Sequence, residues 1–186
     1  MKKTAVLFPG IGYTCKRPLL HYSAQMARLH DYRTIELDYG SDIHSMAARD
    51  DDAMLKVSDI VVERILPQLV SESLEKCDNV IFISKSVGTY IAYTCALRLG
   101  IPVQHFMMTP ISPMLELVGN IDGIFISGTA DPLVPAEDVM KAKAAHPDKA
   151  AMISEDCDHS MEIKSDPLGN IKRLYEIELL LDKRLQ

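Results

Sequence analysis

The chain has 186 residues, of which 47% are hydrophobic and 25% charged, and its formal net charge is −6. This composition is ordinary for a globular protein, and we expect a single domain over residues 1–186. The acidic balance argues against general nucleic-acid binding, which requires a basic face. The first apolar run ends at Pro9, too early for a signal peptide, and no run approaches the ~18 apolar residues of a membrane span. We therefore predict a cytoplasmic monomer or homodimer with no nucleic-acid or membrane partner.

Strand-like and helix-like segments alternate along the chain, which is typical of βαβ units. Short apolar runs predict strands at 5–8, 34–37, 80–83, 103–106, 123–126 and 151–153. Helical periodicity predicts helices at 18–29, 58–73, 87–99, 136–145 and 167–185. Because several strands are almost wholly apolar, helices should cover both faces of the sheet. The predicted fold class is α/β, a three-layer sandwich with about six mainly parallel strands.

Two helices carry features with a structural consequence. Pro67 should kink or locally unwind the second helix, since proline lacks an N–H and clashes with the preceding turn. The last helix should dock through one apolar side, formed by Leu168, Ile171, Leu174, Ile177 and Leu181.

Residues 80–88, with the sequence Val-Ile-Phe-Ile-Ser-Lys-Ser-Val-Gly, form the most informative segment. An apolar strand ends in small–x–Ser–x–Gly, and a helical segment follows at once. This layout is typical of a nucleophile elbow, in which Ser86 sits on a cramped strand-to-helix turn with its hydroxyl exposed. Ser84 stands where the usual pattern has glycine. The alternative is that Ser86 merely caps the helix.

A nucleophilic serine needs a base and a carboxylate that orients it. Asp131 follows an apolar strand in a Gly/Asp/Pro loop, and His159 follows the last predicted strand. The order Ser86, Asp131, His159 is that of α/β-hydrolases. Asp131 could instead be a structural turn residue. The weaker candidates are Asp122 and Asp138 for the acid and His146 for the base.

Three motifs together carry a resemblance to small, lidless α/β-hydrolases. They are Pro9-Gly10-Ile11-Gly12-Tyr13, Ser84-Lys85-Ser86-Val87-Gly88, and residues 128–134 with the later His159. The resemblance implies an oxyanion hole formed by the backbone N–H groups of Val87 and Ile11. We assign Gly12, Tyr13 and Met108 to substrate binding, with Met108 in a loop near the site.

The resemblance also implies a topology, and the chain departs from the family in two places. If the family strand order holds, the first and third strands are neighbours, and the site lies where the winding direction reverses. Pro9 stands where the family often has histidine, and the chain begins at what would be the third strand of a full-length member. Only 107–122 separate the fourth and fifth strands, where larger relatives insert a cap domain. We therefore expect an open site with no cap domain.

The predicted function is hydrolysis of a small carboxylic ester or thioester through an acyl-enzyme intermediate, with no cofactor and no metal. Asp50, Asp51 and Asp52 are interpreted as solvated acids at a helix start. The four scattered cysteines are expected to be free thiols. One alternative is an acyltransferase, because Phe8-Pro9-Gly10 resembles the opening of acyl-carrier-protein transacylases. Those enzymes carry histidine before the nucleophile, however, whereas this chain has Lys85. The other alternative is a binding protein that kept the fold without the chemistry.

Overall fold

A computed structural model describes residues 1–45 and 51–186 of the chain. Six strands form one sheet, and all five neighbouring pairs are parallel. The strands are β1 (Lys3–Phe8), β2 (Tyr32–Glu36), β3 (Asn79–Lys85), β4 (Gln104–Met108), β5 (Gly123–Gly128) and β6 (Ala150–Ser154). Their order in the sheet is β2-β1-β3-β4-β5-β6. The winding direction therefore reverses between β1 and β3, which are neighbours as predicted.

Helices cover both faces of this sheet. They are α1 (Pro18–Leu29), α2 (Ser41–Ser45), α3 (Asp51–Ser71), α4 (Val87–Leu99), α5 (Ser112–Leu115), α6 (Ala136–Ala145) and α7 (Pro167–Leu185). Residues such as Leu7 and Ile83 pack with α1 and α7 on one face. Their strand neighbours Phe8 and Phe82 point to the opposite face, where they pack with α3 and α4. The predicted α/β three-layer sandwich is confirmed.

The second predicted helix begins earlier than expected and is not locally unwound at Pro67, whereas a kink at Pro67 stays a prediction. Helix α3 runs without a break from Asp51 to Ser71 with Pro67 inside it. Val61, Ile65 and Leu69 on its inner side are almost fully buried. Burial of this apolar stripe outweighs the one backbone hydrogen bond that the proline removes.

The predicted docking face of the last helix is correct only in its second half. Ile177 and Leu181 are fully buried, whereas Leu168 and Ile171 are 78% and 66% exposed. Ile171 lines a cavity of about 400 Å³ between α1 and residues 160–162, which leaves its side chain without close packing on that side. Glu178, which the apolar pattern does not include, is buried on the same helix.

Two further observations bear on the expectations from sequence. Within the part of the chain that the structure describes, no helix is long and apolar enough to cross a membrane. Asp50 lies outside the described residues, and Asp52 is exposed. Among the described side chains, no group of three or more His, Cys, Asp or Glu could hold a metal ion.

Candidate active site

Ser86 occupies the turn between β3 and α4, at the point where the sheet reverses its winding direction. Its backbone has φ 57° and ψ −132°, a conformation that non-glycine residues rarely adopt. The Ser86 N–H donates to the Met108 carbonyl at 2.9 Å, which ties the turn to the end of β4. Ser86 stands at the N-cap position of α4, but its side chain makes no capping hydrogen bond. The capping alternative therefore does not account for the hydroxyl.

The turn is cramped, and two glycines make it possible. A Cβ atom on Gly88 would lie 2.4 Å from the carbonyl oxygens of both Phe8 and Pro9. A Cβ atom on Gly10 would lie 3.0 Å from the Cβ of Ser86. The start of α4 thus lies directly against the end of β1, and the loop after β1 lies against the serine.

The three residues of the predicted triad lie within hydrogen-bond distance of one another. The Nε2 of His159 is 2.8 Å from the Oγ of Ser86, and its Nδ1 is 2.6 Å from the Oδ2 of Asp131. A neutral imidazole that carries its proton on Nδ1 donates to Asp131 and accepts from the serine hydroxyl. The Asp131 side chain is 2% exposed and that of His159 is 16% exposed. The carboxylate is therefore shielded, while the imidazole remains open to a substrate.

Asp131 uses both carboxylate oxygens. Its Oδ1 accepts from the Leu133 N–H at 2.8 Å, while Oδ2 faces His159. The structural turn and the triad geometry, which were alternatives in the sequence, thus coexist in one side chain. The turn fixes the carboxylate in the orientation that the histidine requires.

The loop after β6 is held against the loop after β5 by backbone hydrogen bonds. The Ala130 N–H donates to the Cys157 carbonyl at 3.0 Å, and the Asp156 N–H donates to the Thr129 hydroxyl at 3.0 Å. Asp158 then accepts from the Ser160 N–H at 2.7 Å, which shapes the turn just after His159. The hydrogen bonds between these two loops therefore fix the distance between Asp131 and His159.

The two predicted oxyanion donors flank the serine. Val87 is the first residue of α4, where a backbone N–H has no acceptor within the helix. Ile11 lies in a small turn closed by two hydrogen bonds between the backbones of Gly10 and Tyr13, at 3.1 and 3.2 Å. Their roles as donors stay predictions, which the position of each residue favours.

The three residues assigned to substrate binding differ in position. Gly12 is exposed at φ +76°, and Tyr13 is half-buried beside it. Met108 was expected in a loop, but it is the last residue of β4 and fully buried in the core on the α1/α7 face. Its backbone carbonyl holds Ser86, whereas its side chain offers no surface to a substrate. The strand extends further than predicted because Met107 and Met108 continue the pairing with β3 and β5.

The weaker candidates for acid and base lie elsewhere. The ring of His146 packs against Gly119 at the end of α6. Asp122 pairs with Arg184 of α7, and Asp138 lies within α6. Neither acid is bonded to a histidine side chain among the described residues.

Lys85 is a residue that sequence reasoning considered only as a difference from the transacylases. It is 1% exposed, although it directly precedes the serine. Burial lowers the pKa of Lys85 to about 7, and the charges of Asp131 and Asp158 partly oppose this shift. The available signal was that Lys85 continues a strand whose apolar run, residues 80–83, is buried on both faces, so that a side chain on either face points toward covering helices.

No protein-family model matches the chain, and no curated protein matches it either. Solved structures are similar over nearly its whole length. A protein from Xanthomonas campestris pv. campestris assigned to the α/β superfamily of hydrolases has TM-score 0.70 and 20% identity, over 98% of this chain and 99% of the other.

Two further structures share the architecture. A serine hydrolase without a lid from Xanthomonas campestris has TM-score 0.60 and 16% identity, over 97% of this chain and 79% of the other. An esterase from Pyrococcus furiosus has TM-score 0.61 and 16% identity, over 95% of this chain and 82% of the other. The resemblance drawn from the sequence is thus confirmed at the level of the fold, and the chain has the α/β-hydrolase fold that these structures share.

Proposed function

We propose that this protein is a serine hydrolase that cleaves a small carboxylic ester or thioester through an acyl-enzyme intermediate. The observation that carries the proposal is the chain of hydrogen bonds from Ser86 through His159 to Asp131, at 2.8 and 2.6 Å. This chain of hydrogen bonds begins at Ser86, whose backbone is strained at the strand-to-helix turn. Among the described side chains, the Ser86 hydroxyl has His159 as its one hydrogen-bond partner.

In the first half-reaction, His159 accepts the hydroxyl proton of Ser86 while the serine oxygen bonds to the substrate carbonyl carbon. Asp131 stabilises the imidazolium that forms. The carbonyl oxygen becomes an oxyanion, which the N–H groups of Val87 and Ile11 stabilise, each by about 3 kcal/mol. The histidine then returns its proton to the leaving alcohol or thiol, which leaves an acyl group on Ser86.

In the second half-reaction, water replaces the leaving group. His159 takes a proton from the water, and the resulting hydroxide equivalent attacks the acyl carbon. Collapse of the second tetrahedral intermediate returns the proton to Ser86 and releases the carboxylic acid. The similarity in fold to the esterase from Pyrococcus furiosus is consistent with this chemistry, while the substrate depends on the site rather than on the fold.

An open site favours small or extended acyl substrates. The segment 109–122 between β4 and β5 contains only the four-residue helix α5 and a short 3-10 turn. A segment of this size is too short to fold into a cap domain over the serine, and Ser86 itself is half-buried. A substrate therefore needs no large conformational change to reach Ser86.

The first experiment uses a fluorophosphonate probe together with a panel of p-nitrophenyl esters and acyl thioesters. We expect labelling at Ser86 and turnover of short-chain substrates. Ser86→Ala should abolish both, with Ser84→Ala as the matched control two residues away. Labelling that persists in Ser86→Ala, or a wild-type protein that neither labels nor turns over any of these substrates, would contradict the proposal.

The same assay separates the alternatives. An acyltransferase would convert the thioester much faster when an alcohol or amine acceptor is added, whereas a hydrolase would release free acid at an unchanged rate. A binding protein without chemistry would give neither product nor label.

A further inference from the structure

The side chain of Lys85 lies where the loops of the candidate site meet. It leaves β3 on the same face as Ile81 and Ile83, toward α1 and α7. A Cβ atom on Gly10 would lie 3.5 Å from the Cδ of Lys85, so the stem of the lysine runs beside the loop after β1. The residue that precedes the nucleophile therefore supports the loop that contains Ile11.

The end of the lysine contacts an aromatic ring of the same loop. Its Nζ lies 5.0 Å from the ring centroid of Tyr13, within the range of a cation–π interaction. Tyr13 is held at three other points: by the backbone pair with Gly10, by its hydroxyl, which accepts from the Leu19 N–H at 3.1 Å, and by the Arg17 guanidinium, which lies 5.8 Å from the ring centroid. The Gly10–Tyr13 turn is thus fixed to α1 on one side and rests on Lys85 on the other.

This arrangement costs stability. Among residues 1–45 and 51–186, the Nζ of Lys85 has no hydrogen-bond or ion-pair partner, and the residue is almost fully buried. The acids that act on it, Asp131 and Asp158, do so from beyond ion-pair distance. An apolar side chain of similar length would fill the same space without an interior charge. A purely structural role therefore does not explain a lysine here.

We propose that Lys85 is a positioning residue, which holds the Gly10–Tyr13 turn so that the Ile11 N–H stays directed at the oxyanion above Ser86. The inference rests on the proposed function and adds a part to that site. It predicts that the lysine contributes to catalysis through the oxyanion and reduces the stability of the fold.

Lys85→Met tests the inference because it keeps the length of the stem and removes the ammonium group. We expect kcat to fall about 10- to 100-fold with KM changed less than twofold, since a displaced donor weakens binding of the transition state. The affinity for phenylboronic acid, whose serine adduct imitates the tetrahedral intermediate, should fall by the same factor. Lys16→Met, an exposed lysine just after the turn, is the matched control and should leave both unchanged.

The stability of Lys85→Met distinguishes the two roles. If Lys85 stabilised the fold, the variant would be less stable than the wild type, whereas the positioning role predicts that it is more stable. The pKa of Lys85 is lowered in the folded state, so the unfolded chain binds more protons between pH about 7 and 10.5. The urea midpoint of Lys85→Met should therefore exceed that of the wild type most at pH 7, and this difference should shrink as the pH rises toward 10.5. At pH 7 the variant should unfold at a higher urea concentration than the wild type.

A second variant keeps the test decisive if Lys85→Met does not fold. Tyr13→Leu removes the ring that Nζ contacts, and we expect a similar loss of kcat and of boronic acid affinity. In the double variant, the losses should be smaller than the product of the two single losses, because both substitutions remove the same contact.

Several outcomes would overturn the inference. They are unchanged kcat in Lys85→Met, a fall in kcat without a fall in boronic acid affinity, or a lower urea midpoint at pH 7. Fluorophosphonate labelling of the wild type is measured first. If Ser86 labels and Lys85→Met behaves as wild type, only the positioning role fails. If the wild type neither labels nor turns over substrate, the proposed function and the positioning role fail together.

Discussion

At the scale of single residues, the geometry of the site depends on side chains that do two things at once. Asp131 closes a turn with one oxygen and orients His159 with the other. Ser86 begins a helix with its backbone while its hydroxyl faces the imidazole. From the sequence motif alone, these roles look like alternatives. Asp131 is either a turn residue or a triad residue, and Ser86 is either a helix cap or a nucleophile. In the structure, the single Asp131 side chain makes both the turn hydrogen bond and the hydrogen bond to His159.

Asp131→Asn should separate these two roles. The amide oxygen can still accept from the Leu133 N–H, so the fold should be retained. The amide NH₂ group, however, donates toward Nδ1 and favours the imidazole tautomer that cannot accept the serine proton. We expect kcat to fall by about 10³- to 10⁴-fold with little change in the urea midpoint.

Asp138→Asn in α6 is the matched control, because it makes the same substitution at an acid outside the site. It should keep wild-type turnover. Equal loss in both variants, or wild-type kcat in Asp131→Asn, would show that Asp131 does not orient the base.

At the scale of secondary structure, the close contact between α4 and the end of β1 positions the serine. Gly88 allows this contact, because any Cβ there would collide with the carbonyl oxygens of Phe8 and Pro9. Those oxygens belong to the backbone of a central strand and its loop, so they have little freedom to move. The elbow glycine is therefore a requirement of packing between two elements.

Gly88→Ala should destabilise the protein by about 1–3 kcal/mol, as overpacking in a tight core does. It should also slow fluorophosphonate labelling, because Ser86 lies two residues away on the same turn. Urea unfolding and the labelling rate measure the two effects. Leu97→Ala on the exposed side of α4 is the control and should change neither by much. A Gly88→Ala protein with wild-type stability would contradict the packing argument.

The strands and helices also show which structural features can be predicted from sequence patterns. Strand positions were predictable because apolar runs such as Val80–Ile83 are buried on both faces, and only their ends shifted. The unbroken path of α3 through Pro67 and the exposure of Leu168 and Ile171 were not predictable. Both depend on what a helix packs against, which local periodicity does not contain. The burial of Lys85 likewise follows from neighbouring loops that are distant in the chain.

At the scale of the whole molecule, the first and last helices lie side by side and share a buried polar contact. The Ser23 hydroxyl of α1 donates to Oε1 of Glu178 in α7 at 2.9 Å. Within the described chain, Oε2 of Glu178 has no hydrogen-bond partner. Burial raises the pKa of Glu178 to about 8, so the carboxyl group is mostly protonated at neutral pH.

Glu178 should therefore make its own contribution to the pH dependence of stability. Because the pKa in the folded state is raised, the stabilising contribution is complete below about 4.5 and is lost as pH rises toward 8. We expect Glu178 alone to lower the free energy of unfolding by about 3 kcal/mol between pH 5 and pH 8, while the lowered pKa values of His105 and Lys85 act in the opposite direction. Glu178→Gln, which imitates the protonated acid, should flatten this dependence in urea unfolding.

Glu176→Gln is the control on the same helix, since that carboxylate is partly exposed and pairs with Lys172. Its stability should follow the wild-type pH profile. If Glu178→Gln retained the full pH dependence, another group would be responsible for it.

The order of strands separates the base from the nucleophile in a way that affects how activity is lost. Ser86 follows the central strand β3, whereas His159 follows β6, the half-exposed strand at the margin of the sheet. Margins of a sheet open more readily than its centre during local fluctuations. A molecule whose β6 has briefly detached would keep most of its core and still present a serine without its proton acceptor. Turnover would therefore depend on whether β6 is attached to the sheet. Under mild denaturing conditions, turnover would decline before the spectroscopic signals of global unfolding change.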